Sequence, residues 1–148
     1  MAFRFRLDSV LKHRRRVMED KAREVAIVEK RIESARQVQA GLEERLREFR
    51  DQVPSDLGTK LHVGDLMAKS AWLARLGDRL RKSELEIVDL QTRRDGLRSD
   101  LEDAWRQCEV LEKLKARHKA EYDRGAVRSS TMEMDETGSV RHALRTTA

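Results

Sequence analysis

Two long series of apolar residues, spaced alternately three and four positions apart, constrain the fold more than any other feature of this chain. Residues with this spacing stay on one narrow stripe only if the helix winds at about 3.5 residues per turn, as in a coiled coil. We therefore predict two long helices that bury a common seam. The first stripe comprises Leu7, Leu11, Met18, Val25, Val28, Ile32, Ala35, Leu42, Leu46, Phe49 and Val53, with Arg14, Lys21 and Gln39 as polar exceptions. The second comprises Leu73, Leu76, Leu80, Ile87, Leu90, Leu97, Leu101, Ala104, Cys108 and Leu111, with Ser83 and Arg94 as polar exceptions.

Capping and breaking residues set the predicted limits of these helices. Asp8 is a suitable N-cap for the first helix and Asp65 for the second. The segment from Pro54 to Gly58 should end the first helix, and Gly125 should end the second. We expect a hairpin over residues 1–124, with a helix over about 8–53, a loop over 54–64, a helix over about 65–124, and then a mobile tail over 125–148.

The short connection predicts that the two helices run antiparallel. If Val53 lies opposite Leu66, the two seams stay in phase, without a skipped residue, until Leu7 lies opposite Leu111. The sequence thus predicts an all-α fold, an antiparallel two-helix coiled-coil hairpin with a flexible C-terminal tail. A parallel dimer of two chains is the alternative, and it would leave Pro54 as a break in a long rod.

Composition argues against a globular domain and against a membrane protein. Charged residues make up 40% of the chain and aromatic residues only 4%, which suits long exposed helices. Charges interrupt every apolar stretch, so we expect neither a membrane-spanning helix nor a signal peptide. Cys108 is the single cysteine, which excludes a disulfide within the chain and suits a reducing compartment. We expect a cytoplasmic protein.

The sequence offers no recognisable site for catalysis. The four histidines, His13, His62, His118 and His142, lack further ligands at the spacing of a zinc site. The glycine-rich motifs of nucleotide-binding loops are missing, and paired carboxylates such as Glu43 and Glu44 fall on exposed helix faces. We therefore expect a protein that is not an enzyme and that has no cofactor and no metal.

Basic residues are concentrated at the start of the chain. The formal net charge is +5, and the first 16 residues account for it, with six basic residues against Asp8, while the remainder carries equal numbers of both signs. The run from Lys12 to Arg16 admits three interpretations: a solvated helix start, a patch for nucleic acid, or a surface for an acidic protein partner.

Several large apolar residues fall outside the two stripes. They could pack beside the seam or form docking surfaces, since aromatic residues are common anchors of interfaces. These residues are Phe3, Phe5, Trp72, Leu85, Val88, Trp105, Val110 and Leu114.

Four segments together resemble the FliJ family, small coiled-coil proteins of the flagellar type III export apparatus. Residues 3–14 (FRFRLDSVLKHR), followed by EDKA at 19–22, are similar to the start of that family. Residues 71–76 (AWLARL) resemble the opening of its second long helix, and residues 108–122 (CEVLEKLKARHKAEY) its C-terminal pattern. Asp135 and Glu136 resemble its trailing acidic pair. The resemblance covers nearly the whole chain.

The resemblance implies a non-enzymatic stalk, similar to the central shaft of rotary ATPases. It implies that the end bearing the termini enters the ring of the flagellar export ATPase, that the protein also contacts the membrane export gate, and that it escorts export chaperones in some members. The implied location is the cytoplasm, peripheral at the cytoplasmic face of the inner membrane. Gly125 and Gly138 depart from the family, which is usually more helical there.

Carried onto this chain, the resemblance implies two sets of partner-binding residues. The set for the ATPase ring is Arg4, Arg6, Lys12, Arg14, Arg15, Arg16, Lys113, Lys115 and Arg117. The set for the export gate is Gln39, Leu42, Trp72 and Leu76.

Three other functions stay open at the level of sequence. The first is the equivalent stalk of a virulence type III secretion system, which has the same architecture. The second is a nucleic-acid-binding coiled coil, whose binding would fall steeply with salt. The third is a scaffolding rod that self-associates.

Overall fold

The protein consists of two long helices. The computed structural model describes residues 2–56 and 62–146, and within them α1 spans Asp8–Asp56 (49 residues) and α2 spans Val63–Thr146 (84 residues). These described residues contain no β-strand. The fold is all-α, as the sequence predicts.

Burial follows the predicted stripes. Every stripe position whose side chain the structure describes is buried or half-buried. Leu11 is 1% exposed, Ile32 3% and Leu76 4%. Ser83 is buried as well, while the polar exceptions with long side chains are half-buried, since their stems can lie along the seam and their polar ends can reach water. The stripe position Val53 lies outside the side chains described.

The chain divides into two compact units, each of which takes a part of both helices. Unit 1 comprises Met1–Met18 with Asp103–Ala148, and unit 2 comprises Glu19–Glu102. In unit 2, the Arg98 guanidinium pairs with the Glu29 carboxylate at 2.5 Å, and the rings of Phe49 and Trp72 lie 4.8 Å apart. In each unit, the beginning of the α1 segment contacts the later part of the α2 segment, and the end of the α1 segment contacts the earlier part.

The start of each helix differs slightly from the prediction. Asp8 is the first residue of α1 and not its N-cap, because the carbonyl of Leu7 already accepts a hydrogen bond from the Leu11 amide at 2.9 Å. Likewise α2 begins at Val63, and Asp65 lies in its first turn, with its amide donating to the His62 carbonyl at 3.0 Å. Both carboxylates remain near the positive end of a helix dipole, where negative charge is favourable.

The connection between the helices is shorter than the predicted loop over 54–64. α1 continues through Pro54 to Asp56, and α2 already includes residues 63 and 64. The fixed φ of proline is compatible with a helix, and a proline removes one backbone hydrogen bond there. The predicted turn at Gly58 lies outside the described residues.

The predicted end of α2 at residue 124 is wrong. The helix continues through Gly125 and Gly138 to Thr146. A glycine in a helix costs about 1 kcal/mol relative to alanine, which neighbouring residues can offset. Threonine side chains here also bond back to the preceding turn, as in the 2.9 Å contact from the Thr131 hydroxyl to the Val127 carbonyl. The side chains from 116 to 146 are all exposed.

Candidate partner-binding site

In unit 1, the residues before α1 are held against α2 by aromatic contacts. We call residues 2–7 the N-terminal strap. Phe5 is 6% exposed, and its ring meets the His118 ring edge-on with centroids 5.8 Å apart. Phe3 lies 5.7 Å from Tyr122, between ring centroids. The Lys115 ammonium lies 5.9 Å from the centre of the Phe5 ring, within the range of a cation–π contact. The strap is therefore a packed part of unit 1.

Asp8 connects the start of α1 to α2 through two lysines. Its carboxylate accepts a hydrogen bond from Lys115 Nζ at 2.7 Å and forms an ion pair with Lys12 Nζ at 3.0 Å. The hydrogen bond from Lys115 and then that from Lys12 lower the pKa of Asp8 to about 2. One carboxylate thus forms ion pairs with two ammonium groups, so it does not fully neutralise the charge of either lysine.

Arg14 and Arg15 also contact α2. Arg14 Nη1 donates to Gln107 Oε1 at 2.6 Å, and Arg15 pairs with Glu112 through Nη2 at 2.9 Å and Nε at 3.1 Å. Cys108 is buried close to these groups, and its burial raises the pKa of the thiol, with the Glu112 charge acting in the same direction. Arg14 and Arg15 therefore join the two helices of unit 1 as well as adding charge.

Four of the nine predicted basic residues are not engaged in this way. Arg4, Arg6, Arg16 and Arg117 are exposed, and no ion pair joins them to another side chain within residues 2–56 and 62–146. Lys113, in contrast, pairs with Glu109 at 2.8 Å. All nine belong to unit 1, so the structure places the whole predicted set in one unit.

A groove beside the strap gathers five of these cations. It has a volume of about 740 Å³. We call it the basic groove, and its lining residues are Phe3, Arg4, Phe5, Arg6, Asp8, Ser9, Lys12, Arg16 and Lys115. Arg14, Arg15, Lys113 and Arg117 lie outside it.

The residues predicted for the export gate are in unit 2 and differ in accessibility. Trp72 is 40% exposed, with its ring tilted by 34° against Phe49. Gln39 is half-buried and donates to Glu43 Oε1 at 3.3 Å. Leu42 and Leu76 are 8% and 4% exposed, so they pack in the core of the unit. Trp72 and Gln39 are the members of the set that a partner could reach directly.

Sequence reasoning missed the residues of α2 that organise this region. His118 and Tyr122 face the strap, and Gln107 and Glu112 receive the arginines of α1. The apolar residues outside the stripes also separate into two groups. Phe5 is buried, whereas Trp105 is 51% exposed to solvent. Knowing which residue faces which across two helices requires the side-chain register, which a stripe pattern fixes only to within a few positions.

The described residues show neither a metal centre nor a membrane span. Within residues 2–56 and 62–146, no three histidine, cysteine or acidic side chains are grouped as a metal ion would need. The helices over the same ranges contain no apolar stretch long enough to cross a bilayer.

Comparison with known proteins gives one result. No curated protein and no solved structure matches the chain. The model of the family described as "Flagellar FliJ protein" matches residues 3–147, which is nearly the whole chain. The match includes the strap from residue 3 onward, both helices and the nine predicted basic residues of unit 1. The family is a non-catalytic component related to flagellar protein export. The chain therefore belongs to the FliJ family, whose members are related to flagellar protein export.

Proposed function

We propose that this protein is a non-enzymatic stalk of the flagellar export apparatus, an antiparallel two-helix coiled coil whose unit 1 enters the ring of the export ATPase. The observation that carries the proposal is the group of four arginines without ion pairs, Arg4, Arg6, Arg16 and Arg117, in the unit that contains the chain's basic excess. Two observations support the antiparallel coiled coil: the direction in which residues of α1 pair with residues of α2 within each unit, and the burial of both stripes.

The positive charge of unit 1 can attract it to a ring with a negatively charged surface. Charges that are not neutralised inside the protein set up a field that steers a complementary surface before contact. Arginine suits this role, because its planar guanidinium can bind a carboxylate through two parallel hydrogen bonds. The stalk then meets the ring with its arginines already exposed, while Arg14 and Arg15 keep the helices of unit 1 joined.

The second part of the proposal concerns unit 2. An exposed tryptophan is a common anchor of protein interfaces, and the Trp72 ring packs against the ring of Phe49. Trp72 and Gln39 contact the membrane export gate, while Leu42 and Leu76 act indirectly, through their packing in the core of unit 2. The protein acts in the cytoplasm, peripheral at the inner membrane, and escorts export chaperones.

The test of the ATPase contact is the rate of ATP hydrolysis by the cognate export ATPase with and without this protein. We expect stimulation by the native chain and its loss in the double variant Arg16→Glu/Arg117→Glu. The matched control is Arg36→Glu/Arg45→Glu, which changes charge equally at exposed positions of unit 2 that have no ion pair in the described structure. Absence of stimulation together with absence of co-elution would refute the stalk.

The gate contact is tested separately with Trp72→Ala. We expect this variant to lose binding to the cytoplasmic part of the export gate protein while it still stimulates the ATPase. Trp105→Ala is the control, because Trp105 is similarly exposed but belongs to unit 1. If the native chain, Trp72→Ala and Trp105→Ala bind the gate protein equally, Trp72 is not part of the interface.

A further inference from the structure

The basic groove has the size and charge of a site for a small anion. Its volume of about 740 Å³ falls within the roughly 300–1,000 Å³ typical of small-molecule sites. Five cationic side chains line it and Asp8 is the single carboxylate among the lining residues, which leaves four formal positive charges. Such an excess in one cavity favours a ligand with several negative charges in a small volume.

The cations of the groove are not satisfied within the protein. Arg4, Arg6 and Arg16 lack ion pairs among the described residues, and Lys12 and Lys115 share one carboxylate. Elsewhere in the chain, some exposed arginines pair with an acid one turn away, as Arg47 does with Glu44 at 2.8 Å, and others, such as Arg36 and Arg45, have no ion pair among the described residues. The groove differs because it brings three unpaired arginines and two lysines to one cavity whose lining includes one carboxylate, while the acids one turn beyond Arg16 pair with Arg23 instead.

The side chains also indicate the chemistry of the ligand. Guanidinium groups bind phosphate oxygens through paired, charge-assisted hydrogen bonds, and ammonium groups add point charges. The strap fixes the wall of the groove, because Phe5 is packed against His118 and Phe3 lies against Tyr122. Three guanidinium groups around one cavity match a diphosphate or triphosphate better than a single carboxylate, which carries one charge.

We propose that the basic groove binds a diphosphate or triphosphate group. Free pyrophosphate and the phosphates of a nucleotide share this chemistry, and a nucleotide would place its base against the ring of Phe3. The inference goes beyond the stalk function and does not rest on it, because the binding is a property of this chain without the ATPase.

The test is calorimetric titration of the full chain with pyrophosphate, and separately with inorganic phosphate, at constant ionic strength. We expect saturable binding at one site, with pyrophosphate bound more tightly than phosphate. The variant Arg4→Gln/Arg6→Gln/Arg16→Gln should bind pyrophosphate at least about tenfold more weakly, since each hydrogen bond to a charged group is worth roughly that factor or more. Binding without saturation would overturn the proposal.

The matched control is Arg36→Gln/Arg45→Gln/Arg50→Gln, which removes the same charge from exposed arginines of unit 2. It should keep native affinity, whereas an equal loss in both variants would show attraction by net charge and would overturn the proposal. Circular dichroism of each variant checks that the helices are intact.

Two further titrations identify the source of the phosphate. If ATP binds more tightly than pyrophosphate and Phe3→Leu abolishes the difference, the ligand is a nucleotide; if both bind equally, the phosphate group alone is recognised, and either result supports the proposal. Binding to vesicles of phosphatidylglycerol that pyrophosphate does not compete away would instead show a flat membrane-binding surface and would overturn it. Loss of ATPase stimulation has no bearing on these titrations, so the two proposals fail independently.

Discussion

Leu11→Ala should destabilise unit 1 more than any comparable change outside the seam. Leu11 is 1% exposed and is the largest fully buried side chain among the described residues. Leucine-to-alanine changes at such positions cost about 2–5 kcal/mol, and the cost is largest where a rigid core keeps the cavity open. A seam between two helices is open to water along its edges, so the cavity can partly close or fill. We therefore expect a loss of about 2–3 kcal/mol.

Urea unfolding followed by circular dichroism measures this loss, and hydrogen exchange locates it. The faster exchange should appear in residues 1–18 and 103–115, which belong to the unit of Leu11. The control is Leu85→Ala, which removes the same atoms from a side chain that is 70% exposed and should change stability by less than about 0.5 kcal/mol. Equal effects of the two substitutions, or a cost below about 1 kcal/mol for Leu11→Ala, would refute the assignment of the seam.

Three further changes test other parts of the structure. Asp8 has a pKa of about 2 in the folded protein against 3.8 ordinarily, so its stabilising contribution should be complete above pH 3.8 and disappear as the pH falls through 2. Acid titration of thermal stability should therefore show a smaller loss over that range in Asp8→Asn than in the native chain. Burial raises the pKa of Cys108, so a thiol reagent should modify the folded protein at least about tenfold more slowly than the protein in urea, and equal rates would contradict the burial. Gly125→Ala should stabilise the C-terminal part of α2 by about 0.5–1 kcal/mol, seen as slower hydrogen exchange, because the added Cβ has no heavy atom within 4 Å; unchanged exchange would argue that the segment is not helical in solution.

The candidate site was only partly predictable. The basic composition of residues 1–16 and the second basic group around Lys115 are visible in the sequence. The sequence does not show which of these basic residues form ion pairs, because that depends on which acidic side chains lie opposite them. Arg15 pairs with Glu112 of α2, whereas Arg16, its neighbour in the chain, has no ion pair among the described residues and lines the groove. A helix turns by about 100° per residue, so adjacent arginines meet different surroundings.

Segment ends were less predictable than the stripes. The effect of Gly125 was overestimated, because glycine weakens a helix by an amount that neighbouring helix formers can offset. In the same way Asp8 was assigned to the position just before α1, one residue from where it lies. Helix ends depend on small free-energy differences between adjacent residues, and local sequence resolves these poorly.

The helical fold and the buried face of each helix follow from the apolar spacing alone, because a period of three and four residues places apolar groups on one side of a helix whatever that side packs against. The tertiary structure decided how the strap packs, which carboxylate Lys12 and Lys115 share, and which arginines remain unpaired. Those features arise where side chains distant in sequence meet, as Asp8 and Lys115 do at 2.7 Å. Periodicity within one helix carries no information about such distances, since they depend on the side chains of the other helix.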